Sequence, residues 1–206
     1  RYMEQKTIVV ADGGKELKGV IATSRNKLAI ASDGTVYALV RVDDGTGTVA
    51  AMTRYTTDGK ISSYRVPYNV SASSLVMDEN ENVYVFVHDK NKLHTYRFDG
   101  QTLTTTNSMD LTGNVSSLSC CCRNGSVYIM CISGFQGRTG KIFRDYKLLF
   151  ETSSSYTYRE TAIDVTADGR IFYCFDRKIF QYANGNSTRI AYVDGAIDYF
   201  AVNYLD

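Results

Sequence analysis

A ten-residue phrase recurs four times along the chain: an apolar strand, a tight polar turn, then a second strand that opens apolar–aromatic. It runs over Leu28–Tyr37, Leu75–Tyr84, Ser119–Tyr128 and Ile163–Phe172. The turns carry Asp33-Gly34, the Asp78–Asn82 run, Asn124-Gly125 and Asp168-Gly169. Such residues tolerate the positive φ that a two-residue hairpin demands. The aromatic landmarks lie 47 residues apart from Tyr37 to Tyr84, then 44 to Tyr128 and 44 to Phe172. Self-similarity at a period of about 44 residues is the mark of a repeat architecture. Runs such as Val83-Tyr84-Val85-Phe86-Val87 and the glycine turns exclude a helical repeat of that length.

Each unit carries a second hairpin. Its turns are Asp58-Gly59, Asp99-Gly100 and Asn184-Gly185, with Asp145-Tyr146 in the third unit. Two hairpins give four strands, A to D from the centre outward, which is one blade of a β-propeller. The fold class expected is therefore all-β: a β-propeller of five four-stranded blades closed by the N- and C-terminal strands. The alternative is a fragment of a six- to eight-bladed ring. The phrase Ser32-Asp33-Gly34-Thr35-Val36-Tyr37 resembles that of NHL/WD-type propeller families, and the resemblance spans nearly the whole chain. The Gly-His and Trp-Asp signatures of WD repeats are missing. What the resemblance implies is architecture, because propellers host lectins, scaffolds, sensors and enzymes alike.

The ends fit the register. Tyr2–Gly13 matches Cys174–Gly185 at an offset of 172 residues, so the chain starts inside strand B of a unit. One domain over 1–206 is expected, with blades near 28–73, 74–116, 117–160 and 161–195. Residues 196–206 plus 1–27 would form the remaining blade, with a strand near Tyr199–Asn203 as its strand A.

Composition narrows the function classes. The chain has 16 Tyr, 9 Phe and a single proline, Pro67, a mix suited to strands. Net charge is +1, from 23 Lys+Arg and 22 Asp+Glu. Nucleic-acid binding leaves a basic excess, so no nucleic-acid partner is expected. No apolar run approaches the roughly 18 residues of a spanning helix, so no membrane insertion by this segment is expected. The five cysteines Cys120, Cys121, Cys122, Cys131 and Cys174 lack metal-ligand spacing and read as free, buried thiols.

The motifs that could carry chemistry fall short. Gly134–Lys141 looks like a phosphate loop, but Phe135 stands where a glycine is needed and Ile142 follows the lysine. His88 and His94 are the only histidines, and no triad or zinc spacing can be built from them. His88 reads as a solvated turn residue. Asp78, Asp164 and Asp198 lie near strands A and could surround a central cation only if they converge. The Asp43–Gly47 stretch lacks the spaced ligands of a calcium loop. The sequons at Asn69, Asn114, Asn124 and Asn186 are expected by chance in a chain rich in Ser, Thr and Asn. No metal, cofactor or hydrolase activity is expected.

A non-catalytic binding, interaction or sensor module is expected instead, with loops on one face serving a protein, peptide, glycan or small ligand. The alternatives are a carbohydrate-binding, lectin-like propeller and a propeller enzyme of lactonase or lyase type. The candidate ligand-binding residues lie in the B–C loops: Asp43, Asp44, His88, Asp89, Lys90, Phe135, Gln136, Arg138, Asp176 and Arg177. The Ser133–Gly140 loop is expected to be the longest of these and the most mobile.

Overall fold

A computed structural model describes residues 28–43, 48–66, 72–134, 138–154 and 161–193. The chain is an all-β propeller, and four of its blades fall among these residues. The first blade comprises β1 (Leu28–Ile30), β2 (Val36–Asp43), β3 (Thr48–Tyr55) and β4 (Ile61–Arg65). The second comprises β5 (Ala72–Met77), β6 (Val83–Asp89), β7 (Lys92–Phe98) and β8 (Leu103–Asp110). The third comprises β9 (Val115–Arg123), β10 (Ser126–Ser133), β11 (Arg138–Arg144) and β12 (Lys147–Ser154). The fourth comprises β13 (Ala162–Val165), β14 (Ile171–Phe175), β15 (Lys178–Ala183) and β16 (Asn186–Tyr192). Each sheet is an antiparallel meander in sequence order. The first strands of successive blades, β1, β5, β9 and β13, pack beside one another. The expected fifth blade, from 1–27 and 196–206, lies outside the described residues. So does the closure it would provide.

Stacking explains the apolar runs. A strand with solvent on one face alternates, whereas one covered on both faces reads as continuously apolar. In β6, Val83, Val85 and Val87 enter the core shared with the first blade, while Tyr84 and Phe86 face the third. In β10, Ile129 and Cys131 face the second blade and Tyr128, Met130 and Ile132 the fourth. The rim strand β16 has no such cover and is exposed along most of its length.

The turns differ from expectation in one respect. Only Asn124-Gly125, among the four A–B hairpins, is a two-residue turn, with φ of 54° and 69°. The other three hold three residues. Their last one is in the left-handed region: Gly34 (84°), Glu81 (61°) and Gly169 (84°). This is a type I turn closed by a left-handed residue, so one position per hairpin needs positive φ. Glu81 meets that need without glycine.

These hairpins are tied to one another across the blades. The Ser32 amide donates to Glu81 Oε1 at 2.7 Å, and the Asn124 amide to Glu79 Oε1 at 2.5 Å. Asn124 Nδ2 then donates to the Thr166 and Ala167 carbonyls of the fourth blade at 3.4 and 3.2 Å. Two glutamates of one turn thus serve the turns on both sides.

Farther out, aromatic pairs bridge blades. Tyr64 on β4 meets Phe98 on β7 at 4.6 Å between centroids, and Phe150 on β12 stacks on Tyr182 of β15 at 4.3 Å. The strand registers make these the same two positions, one blade pair apart. Between the second and third blades those positions hold Asn107 and Asp145. Tyr146 takes the aromatic's place, packing on the core there and donating to Thr95 Oγ1 at 3.0 Å. That is why the third C–D turn carries no glycine, although Asp145 and Tyr146 both adopt positive φ, 48° and 65°.

All five cysteines are free and buried. Burial pushes the Cys120 and Cys121 thiols well above the ordinary value, and those of Cys122 and Cys131 up to about 12. Among the described residues no helix is long and apolar enough to cross a membrane.

Candidate functional site

The meander puts the starts of the innermost strands, the D–A connections and the B–C turns on one face, here called the upper face. The A–B and C–D hairpins lie on the other. The upper face gathers groups that sequence reasoning named, but holds several of them differently.

His88 is not a solvated turn residue. It lies on β6, is 3% exposed, and its Nε2 sits 3.1 Å from the Leu111 carbonyl. A carbonyl only accepts, so Nε2 is the donor in this contact. The turn opens two residues later than expected, at Lys90 (φ 53°) and Asn91. The Leu111 amide donates to the Asn91 carbonyl at 2.8 Å, which ties that turn to the D–A connection. Asp89 is half-buried and Lys90 exposed.

Arg138 does not sit in a loop. It is the first residue of β11, 3% exposed, and its Nη1 donates to Ser116 Oγ at 3.3 Å. With β11 beginning there, the connection from β10 spans 134–137. It is no longer than the 44–47 connection in the first blade. Gly140 is likewise a strand residue. A Cβ on it would stand 3.1 Å from Phe175 Cδ2 and Cε2 and from Thr152 Cγ2, so the glycine admits the next blade's ring.

Asp176 and Arg177 form the fourth B–C turn, with φ of 56° and 59°. Asp176 is buried and accepts from Lys178 Nζ at 2.8 Å. The Val193 amide donates to the Arg177 carbonyl at 2.9 Å, a tie of the same kind as Leu111 to Asn91. Asp43 ends β2. Asp44, Phe135 and Gln136 lie outside the described residues.

Sequence reasoning missed the hydroxyls beside these groups. Ser117 Oγ and Thr161 Oγ1 lie 2.8 Å apart across the third and fourth blades, and Ser116 Oγ donates to the Ile132 carbonyl at 3.3 Å. The available signal was the serine content of the strand-A segments, Ser73-Ser74 and Ser116-Ser117. A serine-rich strand can equally be a tight packing surface, so the signal does not discriminate.

Of the carboxylates considered for a central cation, the two described ones are each engaged by local partners. Asp78 closes the second A–B turn, accepting from the Asn80 and Asn82 amides at 2.9 and 2.8 Å. Asp164 lies on β13, 3.6 Å from Arg123 Nε and within 3.6 Å of the Cys121 thiol. Asp198 lies outside the described residues. Among the described residues no group of three or more His, Cys, Asp or Glu side chains could hold a metal ion.

No family model matches the chain, and no curated protein matches it. Solved structures do. One is a GH43 glycoside hydrolase, a five-bladed β-propeller, described as engineered in its active site to display both endo-xylanase and exo-arabinofuranosidase activity. It aligns at a TM-score of 0.50 and 10% identity over 84% of this chain and 37% of its own, so this chain spans little more than a third of that neighbour. Another is a protein of unknown function from Bacteroides caccae, at a TM-score of 0.48 and 11% identity over 76% of this chain and 58% of its own. At such identity the likeness is one of fold. It corrects the expectation of a non-catalytic binding, interaction or sensor module: the architecture matched carries an enzyme, so the scaffold gives no ground for setting catalysis aside.

Proposed function

We propose that this chain is a carbohydrate-directed propeller that engages a glycan on its upper face. The observation that carries the reading is the set of directional polar groups fixed at the strand ends there. Arg138 is held by Ser116, His88 by the Leu111 carbonyl, Ser117 by Thr161 and Asp176 by Lys178. These buried pairs stiffen the backbone beneath the exposed upper turns, Lys90 and Asn91 among them, and a rigid rim of that kind suits the dense, neutral hydroxyl array of a sugar better than it suits a polyanion. The endo-xylanase and exo-arabinofuranosidase activities of the engineered GH43 neighbour support the same ligand class.

Turnover and recognition are separable by experiment. Glycoside hydrolysis needs two carboxyl groups placed across the scissile bond. The chain should be screened on a glycan array and incubated with chromogenic arabinofuranosides and xylosides. Retention of a glycan, or release of the chromophore, supports the reading. Loss of that signal in Lys90→Ala with Asn91→Ala, and its survival in the lower-face variant Gln101→Ala, places it on the upper face. No signal in either assay overturns the proposal.

A further inference from the structure

An asparagine followed by glycine is chemically labile. The glycine amide nitrogen attacks the asparagine Cγ, ammonia leaves, and the resulting succinimide is opened by water to aspartate or isoaspartate. Glycine favours the step because no side chain crowds the attacking nitrogen.

The described residues contain two such steps, Asn124-Gly125 and Asn184-Gly185. Both occupy two-residue turns of the same shape, with φ of 54° and 69° in one and 52° and 80° in the other. The backbone cost of reaching the attack geometry is therefore shared, and the surroundings decide. Asn124 is pinned on three sides: its amide by Glu79, its Nδ2 by the Thr166 and Ala167 carbonyls of the next blade. Asn184 is not. Among the described residues its carboxamide has no hydrogen-bond partner, and only its backbone carbonyl accepts, from Asn186 Nδ2 at 3.4 Å. Its hairpin is the outermost of the fourth blade and leads into the exposed strand β16. Local opening is least costly where backbone bonds are exposed and apolar contacts few.

The described Asp-Gly steps are better protected. Asp33, Asp58, Asp99 and Asp168 each accept hydrogen bonds within their own turns. Those bonds hold all four carboxyls below their ordinary range, Asp58 at about 2 through Lys60 and Thr56. An anchored carboxylate is a poor electrophile.

We propose that Asn184 is the site at which the folded protein deamidates spontaneously, Gly185 N closing on Asn184 Cγ with loss of ammonia and water reopening the ring. The isoaspartyl product routes the chain through the former side chain. It adds an atom to the turn that pairs Ala183 with Asn186 and leaves a new negative charge at the rim.

The test is ageing of the whole chain in mildly alkaline buffer, followed by proteolysis and mass mapping, with a parallel sample in denaturant. In the folded chain the amide-to-acid mass gain should accumulate at Asn184 several-fold faster than at Asn124, as a mixture of aspartate and isoaspartate. In denaturant the two rates should converge. Equal rates in the folded chain, or faster conversion of Asn124, overturn the proposal. So does a rate difference that persists in denaturant, since local sequence would then be the cause.

Discussion

At the scale of single residues, the folded chain holds groups in states they would not choose alone. Cys122 and Cys131 have thiols pushed up to about 12, chiefly by burial, from an ordinary value of 9.0. Because the folded value is raised, the stability these thiols contribute is complete below about pH 9 and is lost as pH rises toward 12. Each costs about 1.4 kcal/mol per pH unit across that window. Urea midpoints measured through the alkaline range should fall there, and Cys122→Ala with Cys131→Ala should flatten the fall. A chromogenic thiol reagent should find none of the five thiols in the native chain at neutral pH and all five after unfolding. Tyr146 is held at φ 65°, which costs a non-glycine residue about 1–2 kcal/mol. Its hydroxyl bond to Thr95 returns about 1 kcal/mol, and its packed ring more. Tyr146→Phe should therefore lose about 1 kcal/mol. Tyr146→Gly should be more stable than Tyr146→Ala, because glycine sheds the strain and alanine keeps it. Denaturant unfolding of the three variants gives the order, and alanine above glycine would refute this account of the turn.

At the scale of strands and turns, much of the molecule was readable in advance. The period-two strands and the paired hairpins follow from residue type, because positive φ and alternation leave marks on composition. What escaped was set by the neighbouring blade. His88 looked like a turn opener because the strand's apolar run ends before it. Its burial comes from Leu111, twenty-three positions away. Gly140 looked like a loop glycine beside Gly137. Its role is fixed by Phe175 of the next blade, which no local window contains. Gly140→Val should thus overpack that interface and cost about 1–3 kcal/mol, read as a lower urea midpoint. A neutral result would mean that the Phe175 ring swings aside without loss. Arg138 and the Ser117–Thr161 contact escaped for the same reason: hydroxyl and guanidinium partners are chosen across blades, and one sequence does not reveal the pairing.

At the scale of the whole molecule, the first and fourth blades each carry a face that the described blades do not cover. Leu28 and Ile30 are 50% and 62% exposed on the side of β1 turned away from the second blade. Behind them sit the small groups Ala38, Val40 and Ala51, and at the other end Ala162 and Cys174. These faces fit one further blade, and the repeat match of Tyr2–Gly13 to Cys174–Gly185 proposes the residues for it. If 1–27 and 196–206 supply that blade, deleting 197–206 should abolish the cooperative unfolding transition, since every remaining interface is linked through the ring. A truncated chain that keeps its midpoint would show that the terminal strand closes nothing.

The glutamate ties beneath the blades have an evolutionary consequence. Glu79 and Glu81 reach in opposite directions, to Asn124 and to Ser32, and the described A–B turns of the other blades offer no such pair. The repeats share a grammar but are not interchangeable. Copying the fourth unit into the second place would leave two backbone amides unanswered, one on each side. Each module thus has an address in the series, and a lineage carrying these ties can lengthen by adding units elsewhere more readily than by shuffling the second.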